Sequence, residues 1–575
     1  MRMLDGSGRL RLITLRKSSE RTQAVLAGRG ELGGKAQGLL SVCPVLDEIR
    51  AAFPTIEVDI PAMTVLGTSV FDAFMERNHL AEVAFSNAPD NRIALAFQRA
   101  DMPFEVLREL YELVDQWCMP LAVRSSGLLE DTTRQPFAGV YLTKMIPNNS
   151  HDPNHRFQKL VEAIKFVWAS TYFKISKDYC KATGLNICDE KMAVIIQEMV
   201  GRPYDQRFYP HLSGVARSYN YYPLKPARPQ DGVVSLALGL GKTIVDGGKT
   251  WTYSPAYPQM PPPFASPGEL LDQTQTEFWA VNLGEPPEFN PIKETEYLRL
   301  ENLAAAEQDG VLRRLVSTYD PQSERLFMGD GIRGPRALTF APLLSLNDIP
   351  FNRLVTQLLA KLEAAAGGPV EIEFAMNFDP HRFGLLQVRP MVVPGGEEKI
   401  SAEDLVSPQA IIASETVLGN GTLDNLRDIV YVIPERFNLQ WTPQVAEELE
   451  QHNHRLLAQN RPYLLIVFGR LGTLDPWLGI PVTWGQICGA SVIVEATQEN
   501  VRVELSQGSH YFHNIINLGV KYFCMPFTSP YRIRWDWLEK QPVEAEGRYT
   551  RHVRLTQGLR VRVDGRSGRG VIALE

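Results

Sequence analysis

The stretch 121–139, LAVRSSGLLEDTTRQPFAG, limits what this chain can become more than any other. It opens on Leu121, Ala122 and Val123, a short apolar run that reads as a strand. The run gives way to Arg124, Ser125 and Ser126, then an acidic pair, Glu130 and Asp131, and a turn that closes at Gly139. Arginine offers a planar fork of N–H groups. Serine and glycine let backbone N–H groups come close to a ligand. A strand ending this way presents donors to phosphate. A lone arginine at a strand end is as readily a solvated surface charge, so the reading depends on agreement from distant stretches.

Several agree. Residues 31–40, ELGGKAQGLL, read as a glycine loop entering a helix, where Lys35 would add a point charge at an anion-attracting helix start. Residues 192–200, MAVIIQEMV, form a buried strand with a polar break at Gln197 and Glu198, and 212–222 hold another strand. Residues 233–248, VVSLALGLGKTIVDGG, read as strand, glycine loop and helix start. Their Gly241, Lys242 and Thr243 look like the end of a P-loop, but the glycine that loop requires falls at Leu236, which excludes it. Residues 368–391 are a hairpin that turns at Asp379, Pro380 and His381. Glu373 and Gln387 can face one site from its two strands, and a carboxylate with an amide oxygen suits Mg²⁺. Arg389 suits a phosphate. Helical spacing marks 71–78, 103–117, 157–179, 295–308 and 351–366.

The chain has 575 residues, enough for about three or four domains. Its net charge of −7 argues against a nucleic-acid partner. There is no apolar run of about 18 residues to span a membrane, and the first twenty residues lack a secretory h-region. The six cysteines are scattered, with no C-x-x-C pair, so reduced thiols, no zinc site and a cytoplasmic location are expected. Residues 392–405, with proline, two glycines and charges, make the best linker.

Taken in order, ELGGKAQGL, LAVRSSGLLEDTTRQPFAG, MAVIIQEMV, LSGVARS, LALGLGKTIVDGG and IEFAMNF…GLLQVRP resemble the N-terminal nucleotide-binding domain of phosphoenolpyruvate synthase and pyruvate phosphate dikinase, an ATP-grasp fold. The resemblance spans residues 25–392. It implies that Lys35 and Arg124 meet ATP phosphates and act in catalysis, and that Gly139, at the end of the loop after Arg124, binds the nucleotide. It implies that Gln197, Glu198, Met199 and Val200 line the adenine pocket. Glu373 and Gln387 would hold Mg²⁺, and Arg389 a phosphate. The family usually has Glu where this chain has Lys242, a change that removes a metal contact or adds a phosphate contact; Lys242 stays among the expected nucleotide-binding residues.

The end of the chain, 553–574, reads as two strands around a turn at Asp564 and Gly565, and is similar to the close of the family's swivelling phosphohistidine domain. Upstream, Ser509 and His510 stand at the spacing from Leu518 and Gly519 that the family's carrier histidine keeps. Ser509 would cap a helix and His510 would be the carrier, stabilised at the positive helix end. Tyr511 and Phe512 replace the usual small residues, and His513 is a second candidate.

The expected fold is therefore an α+β or α/β multidomain chain. An extension over 1–24 precedes the ATP-grasp domain, 25–392. A linker, 393–405, leads to a divergent phosphohistidine-like domain, 406–575, with an inserted block at about 430–500. No stretch resembles the family's phosphoenolpyruvate/pyruvate barrel, so the chain is not expected to act alone as a phosphoenolpyruvate synthase. The expected activity is an ATP- and Mg²⁺-dependent dikinase-type phosphotransfer through a histidine to an unidentified acceptor, a small molecule or a partner protein. Assembly as a homo-oligomer is left open. Two alternatives stand: a non-catalytic ATP-binding regulatory module, and one subunit of a split phosphoenolpyruvate or phenylphosphate synthase.

Overall fold

The computed structural model describes residues 30–128, 130, 140–183, 185–221, 223–262, 264, 266–391, 393, 398–473, 479–498, 515, 518–565 and 567–575, with the backbone of short strands between 13 and 27. Gly139, Ser509, His510 and His513 lie outside the described residues, as do 394–397 of the expected linker.

Three large sheets organise the fold. The first runs Ile13–Thr14, Met63–Leu66, Met192–Glu198, Leu121–Gly127, Thr143–Ile146, with Leu26–Ala27 beside Met63–Leu66. The helix Pro153–Ser170 starts where Asp152 accepts from the N–H of Asn154, and it buries Leu160, Ile164, Val167 and Trp168. The single helix expected over 157–179 is two, Pro153–Ser170 and Lys174–Thr183. Tyr172 and Phe173 in the break are themselves buried, so the apolar spacing continues across it and periodicity does not reveal it.

The second sheet runs Trp251–Tyr253, Val233–Ala237, Leu212–Arg217, Val370–Phe378, His381–Pro390, Glu57–Asp59. The helix Phe351–Ala366 covers it with Phe351, Leu354, Val355, Leu358, Leu359 and Leu362 and ends on left-handed Gly367. The helix expected over 295–308 begins instead as the strand Leu298–Asn302, paired with Glu277–Asn282. Asn302 then caps the short helix Leu303–Gln308 by accepting from the N–H of Ala305.

The third sheet has nine strands and occupies the C-terminal part of the chain. At its centre Asn420–Val432, Tyr463–Phe468, Ala490–Ala496 and Lys521–Met525 run parallel, and Thr550–Asp564 and Arg569–Leu574 form the antiparallel hairpin at one side. The block read from sequence as inserted thus supplies two of the central strands. One apolar cluster includes side chains from both 66–196 and 411–572, and the two parts meet where the helix Lys174–Thr183 packs on the turn Trp484–Gln486. Polar contacts also tie the C-terminal part to the rest of the chain: Lys174 meets Glu450 at 2.6 Å, helix to helix, and Arg470 donates at 2.9 Å to the carbonyl of Gly247, in the segment after Val233–Ala237 of the second sheet. Among the described residues no helix is long and apolar enough to cross a membrane.

Candidate functional site

A cavity of about 220 Å³ opens between the first two sheets. Several stretches far apart in sequence build its polar part. The helix Gly33–Ser41 is wedged against both sheets by two glycines. A Cβ on Gly33, at φ +73°, would lie 1.8 Å from the carbonyl oxygen of Ser126, and one on Gly38 would lie 2.7 Å from that of Val388. This close approach places Lys35 beside the end of the strand Leu121–Gly127. Its ammonium lies 2.7 Å from Glu130 and 3.0 Å from the Ser125 hydroxyl.

Arg124 reaches out of the first sheet to the hairpin of the second. Its guanidinium donates to the Leu386 carbonyl at 2.8 Å and to the Gln387 amide oxygen at 2.9 Å, and stands 3.6 Å from Glu373. Gln197 accepts from it at 3.3 Å. Strand alternation explains the hairpin's part. Glu371 and Glu373 share one face of Val370–Phe378, and Gln387 and Arg389 oppose Glu373 and Glu371 in register. Arg217 opposes Glu371 on the other side. Glu371, 1% exposed, therefore sits between two guanidinium groups, accepting from Arg217 at 2.5 Å and from Arg389 at 2.7 Å.

Met199 and Val200 line the cavity with Ala122, Met145 and Leu240, an apolar stretch beside the polar one. Gln197 and Glu198 line it as well, but the Glu198 carboxylate is held by Arg382, which also binds Asp59. Lys242, Asp246 and Glu294 complete the wall. Lys35, Arg124, Gln197, Glu198, Met199, Val200, Lys242, Glu373, Gln387 and Arg389 thus meet at one cavity.

Sequence reasoning missed Glu294 and Glu371 and named Glu130 without giving it a role; these three acids hold the basic residues in place. It also missed Glu190 behind the loop. Burial pushes the Glu190 carboxyl up to about 7, although the Tyr141 hydroxyl and the N–H groups of Leu128 and Lys191 donate to it. Glu130 lies within the 121–139 stretch, but Glu190, Glu294 and Glu371 carry no local motif and act on partners distant in sequence.

The donor set suits a hard cation. Glu373 and Gln387 offer a carboxylate and an amide oxygen on adjacent strands, beside guanidinium groups that favour phosphate. The other acidic grouping among the described residues, Asp428, Glu544 and His552, is different. The Arg461 guanidinium binds both of its carboxylates, so it is an ion-pair network.

The family model described as "Pyruvate phosphate dikinase, AMP/ATP-binding domain" matches residues 29–408, well over half of the chain. The cavity and all of its polar residues lie inside that match. With those residues converging between two sheets of an ATP-grasp-type fold, the chain belongs to the pyruvate phosphate dikinase family, as an ATP-binding member.

Proposed function

We propose that this chain is an ATP-dependent phosphotransferase of the dikinase type, with the cavity as its MgATP site. The observation that carries the reading is the convergence of Lys35, Arg124 and Arg389 with Glu373 and Gln387 from separate segments. The three cations neutralise polyphosphate oxygens, and the apolar stretch at Ala122, Met145, Met199 and Val200 receives the base. Gly139 and Lys242 complete the phosphate contacts. Glu373 and Gln387 would hold Mg²⁺, which would supply positive charge to offset that on the phosphate oxygens. Phosphoryl transfer is chiefly positioning and charge stabilisation, which is what this residue set provides.

The acceptor of the first transfer is His510. Its neutral imidazole attacks the β-phosphorus; an N–P bond forms, the bridge between the α- and β-phosphates breaks, and AMP leaves with the bridging oxygen. Loss of the γ-phosphate to water yields inorganic phosphate, and the phosphohistidine passes its group to a small molecule or a partner protein. The contact of Arg470 with Gly247, the neighbour of cavity-lining Asp246, brings part of the C-terminal region beside the nucleotide cavity, in keeping with a carrier delivered there.

Rapid quenching after mixing with ATP and Mg²⁺ tests this. A burst of one AMP per chain is expected, without ADP. ADP as the product overturns the dikinase reading. Bound ATP with no product favours the regulatory ATP-binding module.

A further inference from the structure

Lys242 is held in an unusual way for a residue lining a ligand cavity. Its ammonium lies 2.9 Å from Asp246 and 3.0 Å from Glu294, and its side chain is 10% exposed. Asp246 comes from the next turn of its own short helix, Lys242–Val245, and its C-terminal flank. Glu294 comes from a separate loop and also accepts from the N–H of Thr143 at 3.1 Å. Thr143 is the cross-strand partner of Arg124, so the cluster abuts the guanidinium end of the cavity.

Burial works to lower the Lys242 pKa, and the two carboxylates more than offset it, leaving the amine held in its charged form. Burial likewise raises the Asp246 carboxyl, against the pull of Lys242. One compact positive centre between two carboxylates in a polyphosphate site is the arrangement that a divalent ion makes, with oxygens at about 2.0–2.6 Å in place of these N···O distances. Lysine differs in being covalently fixed and in carrying three N–H donors. Two serve Asp246 and Glu294, which leaves a third for an anionic ligand.

We propose that Lys242 is a resident cation of the nucleotide site, filling the place between Asp246 and Glu294 that a second divalent ion would take, so that the protein binds one divalent ion per nucleotide. This rests on the nucleotide reading of the cavity and adds to it the number of metal ions required. It also gives Glu294 and Asp246 a role: they position the ammonium and need no metal while it is there.

The test is to count Mn²⁺ bound to the full chain by electron paramagnetic resonance, saturated with an ATP analogue blocked at the α–β bridge. One ion per chain is expected for the wild type and for Lys242→Arg. Two are expected for Lys242→Met, which vacates the place between the carboxylates, and one again for Lys242→Met with Glu294→Gln. Two ions in the wild type overturn the proposal without recourse to any variant, and so does an equal count in wild type and Lys242→Met. Failure of the wild type to bind the analogue, with or without Mn²⁺, overturns the nucleotide reading itself and this proposal with it. Binding with the wrong ion count overturns this proposal alone.

Discussion

Arg124→Ala is expected to weaken ATP binding at least about 100-fold. Two charge-assisted hydrogen bonds to phosphate contribute about 1.5–3 kcal/mol each, and every 1.4 kcal/mol is tenfold in affinity. The residue also joins the two walls of the cavity, donating from the first sheet to Leu386 and Gln387 of the second. On the proposed reading, its loss would remove a ligand contact as well as this tie between the two walls. Arg124→Lys is expected to recover little, because an ammonium cannot reproduce the planar fork that serves several acceptors at once. Calorimetric titration with ATP and Mg²⁺ reads the change. Unchanged affinity in Arg124→Ala would count against the whole assignment of the nucleotide site.

Glu371→Ala is expected to cost about 3–5 kcal/mol of stability, the range for removing one partner from a buried ion pair. Glu371 lies between Arg217 and Arg389 across three adjacent strands, and all three are buried. Without the carboxylate, two guanidinium groups face each other in the middle of the second sheet, with Glu373 3.9 Å from Arg389 as the neighbouring acid. Glu371→Gln is expected to be nearly as costly, since it keeps the shape and loses the charge. Urea unfolding followed by tryptophan fluorescence measures the effect. ATP affinity should fall as well, because Glu371 orients Arg389. A loss of stability below about 0.5 kcal/mol, the scale of an ordinary surface change, would show that the triad is not what holds these strands' charges.

The parts of the site that were legible in sequence are those whose signals are local. The strand Leu121–Gly127 and the hairpin Val370–Phe378 with His381–Pro390 follow from short alternating or apolar runs bounded by turn residues, and the register of the hairpin places Glu373 opposite Gln387. The cationic residues stood out because they sit at strand ends or in glycine loops that enter helices. Of the acids Glu130, Glu294 and Glu371 that hold them, only Glu130 was noted, as part of its stretch and with no role. Glu130 lies 95 positions from Lys35, and Glu371 lies 154 from Arg217, and no periodicity links residues so far apart. Glu294 sits in a loop with no pattern of its own.

In the C-terminal part, YLLIVF at Tyr463–Phe468 is a short continuous apolar run, the mark of a strand buried on both faces. Comparison with the family's order of motifs set it aside as inserted, whereas pairing with Asn420–Val432 and Ala490–Ala496 makes it central. The break at Thr171 shows the opposite failure. Helical spacing persisted through a turn because the turn residues themselves enter the core.

The central claim is that ATP phosphorylates this chain on a histidine, and labelling tests it most directly. Wild type, His510→Ala and His513→Ala are incubated with Mg²⁺ and ATP labelled at the β-phosphate. The expected result is an acid-labile, base-stable label on wild type and His513→Ala that is absent from His510→Ala. No label on the wild type while it still binds ATP would contradict the claim.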